Sequence, residues 1–107
     1  MRKPLLILAA IALGTTLTTH AKGNVEAGKA KSATCAACHG ADGVSTVPSF
    51  PKLAGQHYDY LYQALKDYRA GKRKNPIMAG QVANLSDEDM ADLAAYFSEQ
   101  KGLSVKY

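Results

Sequence analysis

Cys35-Ala36-Ala37-Cys38-His39 is a C-x-x-C-H run that contains both cysteines of the chain. This pattern is typical of covalent attachment of a c-type haem. Two thiols three positions apart can add to the two vinyl groups of one porphyrin, and the next residue offers an imidazole to the iron from the same side. The motif therefore predicts a haem bonded to Cys35 and Cys38, with His39 as an axial ligand.

Two other interpretations of the cysteine pair remain open. A disulfide redox motif usually follows a strand in a β-α-β context, and no strand pattern precedes Cys35. A zinc site needs four ligands, often from two separated pairs. Beyond residue 21 the only histidines are His39 and His57, and there is no second cysteine pair. Haem attachment is the favoured interpretation, with thiol redox chemistry and zinc as the alternatives.

The first 21 residues have the features of an export signal. The chain has 107 residues, 47% of them hydrophobic, which indicates one small domain. The signal features are a charged start, an apolar stretch and a small-x-small cleavage site, at Arg2 and Lys3, Leu5–Leu13 and Thr19-His20-Ala21. We expect cleavage after Ala21, a mature domain at residues 22–107 and a periplasmic location. The apolar stretch is shorter than the roughly 20 residues of a membrane span, so no permanent membrane insertion is expected.

The charge argues against a nucleic-acid partner. The net charge of the whole chain is +4 at pH 7, and loss of Arg2 and Lys3 lowers it to +2. Two haem propionates would bring it near zero, and no run of aromatic residues alternates with the lysines to form a nucleic-acid surface. A domain this small usually draws stability from a metal, a disulfide or a cofactor, which a buried porphyrin would supply.

The sequence predicts three main helices. The first begins after Asn24 and runs to about Thr34, with Gly28 facing another helix closely. The second runs from His57 or Tyr58 to Ala70 and is closed by Gly71, with a core stripe of Tyr58, Leu61, Leu65 and Tyr68.

The last helix has the clearest boundaries. It begins after Ser86, whose hydroxyl and three following acidic residues resemble a capping box, and it ends at Gly102. Its apolar stripe consists of Met90, Leu93, Ala94 and Phe97. We expect Tyr96 or Phe97 to meet Gly28.

The residues after the motif form a loop around the cofactor. Glycines and prolines between Gly40 and Pro51 predict turns and no regular structure. A ligating imidazole normally donates its other ring N–H to a carbonyl, and we expect the Pro51 carbonyl to accept it. Leu53 is expected to pack on the porphyrin face. Arg73, in the basic run after Gly71, is a candidate partner for a propionate.

The donor for the sixth iron position has three candidates. Met90 lies on a core stripe, and His57 begins a helix and would give a bis-imidazole iron. Met78 lies in Asn75–Gly80, a segment with a proline that we expect to be an irregular loop. A methionine in a loop is not part of a helix core, so its thioether can be offered to the iron. Met78 is therefore the favoured ligand, and gap-filling packing is its alternative role.

The order of these motifs resembles a class I c-type cytochrome, most similar to the monohaem cytochrome c553 and single-domain cytochrome c4 group. The shared features are C-x-x-C-H-G, the segment Phe50–Gln56, the loop methionine, Leu-Ser-Asp-Glu-Asp and Leu93–Phe97. The resemblance implies a small all-α fold with three main helices around one haem c. It also implies thioethers at Cys35 and Cys38, axial ligation by His39 and Met78, and Pro51 as the acceptor from His39.

Two features depart from the pattern of that group. The cytochrome c4 type is a tandem of two domains with two haems, whereas this chain has one C-x-x-C-H, so we expect one haem. Many class I proteins have an aromatic residue four positions before the first cysteine, where this chain has Lys31.

The function that follows is one-electron transfer, without enzymatic activity. Docking to redox protein partners is expected to be transient and small. Basic residues precede the predicted methionine loop and acidic residues follow it, at Lys66, Arg69 and Lys72–Lys74 and at Asp87, Glu88, Asp89 and Asp92. The alternatives are a haem enzyme or gas sensor with an open iron site, and a haem subunit of a larger oxidoreductase. The oligomeric state is not indicated.

Overall fold

The computed structural model describes residues 23–101, and the regular structure in this part of the chain is all helical, with no strand. Five helices follow in order: α1 (Val25–Lys31), α2 (Ala33–His39), α3 (Tyr58–Ala70), α4 (Pro76–Val82) and α5 (Asp87–Ser98). The predicted all-α class is confirmed. Within residues 23–101 no helix has both the length and the apolar character to cross a bilayer. The signal predicted at residues 1–21 lies outside the described residues.

The predicted first helix is divided in two at Ser32, so its predicted end near Thr34 is wrong. The N–H and the hydroxyl of Ser32 both donate to the Lys29 carbonyl oxygen, at 3.2 and 2.8 Å, which interrupts the helical ladder. The Ser32 carbonyl oxygen accepts from the Ala36 N–H at 2.8 Å, and the chain resumes as a helix. The whole C-x-x-C-H motif therefore lies on α2.

Helices α1 and α5 pack so closely that no side chain separates their backbones at Gly28. The Asn24 side chain accepts from the Ala27 N–H at 2.8 Å, which confirms the predicted N-cap of α1. A Cβ placed on Gly28 would lie 2.0 Å from the Asp92 carbonyl oxygen and 2.7 Å from the Tyr96 Cβ. The expected packing reason for this glycine is confirmed, and Tyr96 is the aromatic residue that it meets.

Helix α5 forms the centre of the fold. Its capping box is complete, since the Ser86 hydroxyl accepts from the Asp89 N–H and the Asp89 carboxylate accepts from the Ser86 N–H, both at 3.0 Å. The predicted stripe is buried, with Met90 fully enclosed, along with Leu93, Ala94 and Phe97. The helix ends at Ser98, before the predicted end at Gly102, which lies outside the described residues.

Helix α3 agrees with its predicted bounds and packs against α5. Gly71 adopts a left-handed conformation, with φ at 80°, and closes the helix as expected. Leu61 is buried in the same hydrophobic cluster as the inner face of α5, and Tyr58 and Leu65 pack against this cluster from the side.

Residues 76–80 are helical and Asn75 caps this helix, so the predicted irregular loop is wrong. The Asn75 side chain accepts from the N–H groups of Ile77 and Met78, both at 3.0 Å, and caps α4. Pro76 stands at the first helical position, where its missing N–H costs no hydrogen bond. A proline directly after an asparagine is therefore a start signal here rather than a loop signal.

Candidate functional site

Helix α2 brings the three residues of the motif to one short surface. Cys35 and Cys38 are three positions apart on the helix, which places their side chains on the same face. Both cysteines are half-buried, and they are not joined to each other by a disulfide. His39 is the last residue of α2 and is only 6% exposed. The helix therefore carries two thiols and one imidazole within its last five residues.

The environment of Cys35 does not match that of a redox dithiol. Burial raises the pKa of the Cys35 thiol, against smaller lowering effects of the Thr34 side chain and the local backbone. Reactive cysteines in dithiol enzymes have lowered pKa values, because the thiolate is the nucleophile. Within residues 23–101 no three His, Cys, Asp or Glu side chains converge to hold a metal ion, so zinc has no ligand set there.

The imidazole of His39 is held by the backbone of the following loop. Its Nδ1 lies 2.7 Å from the Pro51 carbonyl oxygen, and its ring centroid lies 6.4 Å from that of Phe50. Because a carbonyl only accepts, Nδ1 carries the proton and Nε2 keeps its lone pair for a metal. The expected hydrogen bond between His39 and Pro51 is present.

Leu53 follows in the same loop and is half-buried against the hydrophobic cluster of α3 and α5. Its predicted contact with a porphyrin face stays a prediction. A cavity of about 290 Å³ lies along the neighbouring residues 45–48 and 50–52, on the same loop as Pro51.

The three candidate donors for the sixth position lie in different settings. Met90 is 0% exposed in the core of α5, and His57 is an exposed N-cap residue of α3. Met78 lies in the first turn of α4 with a half-buried side chain. Met78 is therefore the methionine that is not already enclosed in the core.

Arg73 lies among tyrosines. It donates to the Tyr60 hydroxyl at 3.0 Å, and its guanidinium lies 4.9 Å from the centroid of the Tyr68 ring. The hydrogen bond to Tyr60 is the main cause of the raised pKa of Arg73. Tyr68, which the sequence places on the core stripe of α3, contacts this arginine. The proposed role of Arg73 toward a propionate stays a prediction.

Sequence reasoning missed an ion-pair cluster between α1 and α5. The Lys31 ammonium lies 2.8 Å from the Asp89 carboxylate and 2.6 Å from that of Asp92. Asp92 is buried and also accepts from the Asn24 N–H at 2.8 Å. In the sequence, Lys31 stands out only as a departure from the pattern of the class I group, and nothing there indicates its two partners.

These contacts shift the ionisation of each partner. The hydrogen bond from Lys31 lowers the pKa of Asp89 to about 2, and the two aspartates raise the pKa of Lys31. For Asp92, burial acts to raise the pKa, but the hydrogen bonds from Asn24 and Lys31 outweigh burial, so its pKa is lowered.

The predicted separation of charges is partly cancelled by ion pairs. Arg69 pairs with Asp87 and also donates to the Leu85 carbonyl oxygen at 2.9 Å. Together with the pairs of Lys31, this engages three of the acidic side chains in the N-terminal half of α5 with two cations. In the part of the chain that the structure describes, Lys52, Lys72 and Lys74 are exposed and form no ion pair.

The donor set fits a covalently attached haem. Two unpaired thiols lie one helical turn apart, and the adjacent imidazole has one nitrogen tied to a carbonyl and the other available. These are the features that attachment through two vinyl groups and axial ligation require.

Comparison with known proteins gives three findings. The family model for cytochrome c matches residues 25–101. The chain is 53% identical over 97 residues to cytochrome c4 of Pseudomonas aeruginosa, a match that covers 91% of this chain and 48% of that protein. It is 46% identical over 82 residues to cytochrome c-554(548) of Halomonas halodenitrificans, which covers 74% of this chain and 99% of that protein.

A solved structure agrees with these matches. Reduced recombinant cytochrome c4 from Pseudomonas stutzeri superposes with a TM-score of 0.72 and 51% identity, over 79% of this chain and 49% of that one. The chain therefore spans about half the length of the cytochrome c4 proteins that it matches.

Proposed function

Because this chain belongs to the cytochrome c family and binds haem c, we propose that it carries single electrons between redox partners. When bound, the haem supplies a reversible Fe(III)/Fe(II) couple, and the protein supplies position and electrostatics. The observation that carries the proposal is the 2.7 Å contact between His39 Nδ1 and the Pro51 carbonyl oxygen. This hydrogen bond uses Nδ1 of the buried imidazole and leaves Nε2 available as a metal ligand.

Each site residue has a proposed role in this function. Cys35 and Cys38 form the thioethers, and His39 ligates the iron through Nε2. The Pro51 carbonyl keeps the imidazole oriented and strengthens it as a donor. Met78 would supply the sixth iron ligand and so leave no open position for a substrate. A thioether in this position raises the reduction potential relative to two nitrogen ligands.

The ferric absorption spectrum of the haem-loaded protein tests this assignment. We expect a low-spin spectrum with the methionine-to-iron charge-transfer band in the wild-type protein, and loss of this band in Met78→Ala. The matched control is Ile77→Ala, because Ile77 is the adjacent residue of α4 and is 60% exposed. The control variant should keep the band.

High-spin iron in the wild-type protein would contradict electron carriage. It would favour an open iron site, as in a haem enzyme or gas sensor. A band that persists in Met78→Ala would instead show that another residue is the sixth ligand, and the role of Met78 would be wrong.

The proposed partners are redox proteins that dock transiently, with interfaces below about 1,200 Å². Support comes from Lys52, Lys72 and Lys74, which are exposed, form no ion pair within residues 23–101 and suit a partner with acidic residues. Co-purification with an enzyme at high salt would instead favour a permanent haem subunit. The proposed location is the periplasm, which is supported by the export signal predicted at residues 1–21. Determination of the N-terminus of the secreted protein should give Lys22 as the first residue.

A further inference from the structure

Two consecutive residues near the end of α5 hold both ends of the loop at residues 41–55. The Tyr96 hydroxyl donates to the Ala41 carbonyl oxygen at 3.1 Å. The Gly55 N–H donates to the Phe97 carbonyl oxygen at 3.0 Å. Since the two ends are tied to one place on α5, the segment forms a closed loop on the protein surface.

Hydrogen bonds also join the two sides of this loop. The Gly43 carbonyl oxygen accepts from the N–H groups of Leu53 and Ala54, at 2.8 and 3.2 Å. Gly43 has φ at 84°, and a Cβ on it would lie 2.9 Å from the Phe97 ring. Pro51 lies just before the residues held in this way. The place of its carbonyl is therefore set by the loop and by the contacts of the loop with α5.

Tyr96 connects this loop to the most tightly packed part of the fold. Its side chain is 7% exposed, its ring meets the Phe97 ring edge-on at 5.0 Å, and its Cβ lies against Gly28. A hydroxyl in such surroundings needs a partner, and the Ala41 carbonyl oxygen is that partner. Ala41 is the second residue after His39, so the Tyr96 hydroxyl holds the backbone directly after the C-x-x-C-H motif.

We propose that Tyr96 is a positioning residue for the axial imidazole. By holding Ala41, its hydroxyl keeps the loop in place and keeps the Pro51 carbonyl in line with His39 Nδ1. The inference rests on the proposed function, in which His39 ligates the iron. A well-aligned carbonyl makes the imidazole a stronger donor, and a stronger donor favours Fe(III) and lowers the reduction potential.

The test compares the haem-loaded wild-type protein with Tyr96→Phe, which removes the hydroxyl and keeps the ring. The matched control is Tyr62→Phe, because Tyr62 is a half-buried tyrosine on α3 whose ring stacks on Tyr58 at 5.7 Å. Two quantities are measured: the reduction potential and the rate at which the His39 Nδ1 proton exchanges with solvent, followed by NMR. In Tyr96→Phe we expect a higher potential and faster exchange, with the methionine band retained. In Tyr62→Phe both quantities should match the wild type.

An unchanged exchange rate in Tyr96→Phe overturns the proposal, whether or not the potential moves, because the effect would then not pass through His39. Equal changes in Tyr62→Phe also overturn it, since any lost tyrosine hydroxyl would act alike. Failure of the proposed function is seen separately, as high-spin iron in the wild-type protein.

If Tyr96→Phe does not accumulate as folded protein, hydrogen exchange in the wild type decides. The His39 Nδ1 proton and the N–H groups of Leu53 and Gly55 are then expected to exchange together, as one cooperative unit anchored on α5. Exchange of the Nδ1 proton independently of these two amides would overturn the proposal.

Discussion

The two proposed axial ligands lie in regions that are built differently. His39 is 6% exposed, and the loop that holds its ring is tied to α5 by residues more than forty positions away in the chain. Met78 is half-buried in the first turn of α4, a helix started by the neighbouring Asn75 and packed against α3. Contacts with residues more than forty positions away orient His39, whereas the local cap at Asn75 sets the turn that carries Met78.

This difference indicates which of the two proposed ligands is released first when the protein opens locally. Regions with few buried contacts open at lower free energy than regions tied into the core. The Met78 side should therefore release its ligand while the His39 side stays intact.

Substitution of Gly28 by alanine should destabilise the His39 side strongly. The added Cβ would lie 2.0 Å from the Asp92 carbonyl oxygen, which belongs to the backbone of α5 and has little freedom to move. Overpacking of this kind should lower the free energy of unfolding by about 3 kcal/mol. Denaturant unfolding of the haem-loaded protein measures the change.

Gly80→Ala on the Met78 side is the matched control. A Cβ on Gly80 would meet no atom within 4 Å, and Gly80 lies inside α4. Alanine should raise the free energy of unfolding by about 0.5 to 1 kcal/mol through helix propensity. Equal changes in the free energy of unfolding for Gly28→Ala and Gly80→Ala would contradict the difference in packing between the two regions.

Acid should weaken the α1–α5 interface through its aspartates. The pKa of Asp89 is lowered to about 2 in the folded protein, and that of Asp92 is also lowered. Groups with depressed pKa values stabilise the fold above their ordinary pKa near 4, and this stabilisation is lost as the pH falls toward about 2. Because Lys31 and Asp89 are partly exposed, we expect a contribution of about 1 kcal/mol from this pair.

Lys31→Met measures this contribution directly. Its deficit in unfolding free energy against the wild type should be largest at neutral pH and should shrink between about pH 4 and pH 2. Lys29→Met is the control, since Lys29 is exposed on the same helix and has no ion pair among the described residues. A deficit that does not depend on pH would show that packing of the lysine stem, not charge, is what Lys31 supplies.

Asn75→Ala should loosen the Met78 side with the smallest effect on overall stability. It removes the side-chain acceptor of two N–H groups at the start of α4, which costs about 0.5 to 1 kcal/mol in that helix. We expect the methionine band to be lost at lower pH during alkaline titration, with little change in the unfolding midpoint. Asn84→Ala, at an exposed position after α4, should leave the titration unchanged. A shifted midpoint with an unshifted titration would contradict local control of Met78.

Elements with local end signals could be predicted from the sequence. Asn24, Ser86 and Gly71 each act on backbone groups within a few residues, so their side chains or conformations are sufficient to define a boundary. The contact between His39 and Pro51 was also predicted, because an imidazole ligand needs an acceptor and the resemblance to class I cytochromes implies Pro51 for that role.

Other features depend on competition between signals or on distant residues. At Asn75, an asparagine before a proline favours either a turn or a capped helix, and the cap is formed. At Ser32, a hydroxyl that bonds the Lys29 carbonyl ends a helix that alanine and lysine would continue. The hydrogen bond from Tyr96 to Ala41 joins residues 55 positions apart, and no local sequence pattern predicts it.

The closure of the loop on α5 has a consequence for the order in which the molecule is made. Synthesis runs from the N-terminus, so the motif emerges long before Tyr96 and Phe97 do. Until these two residues are present, neither end of the loop has its anchor, and the carbonyl that orients His39 has no fixed place. The orientation of His39 therefore depends on the last helix of the described chain.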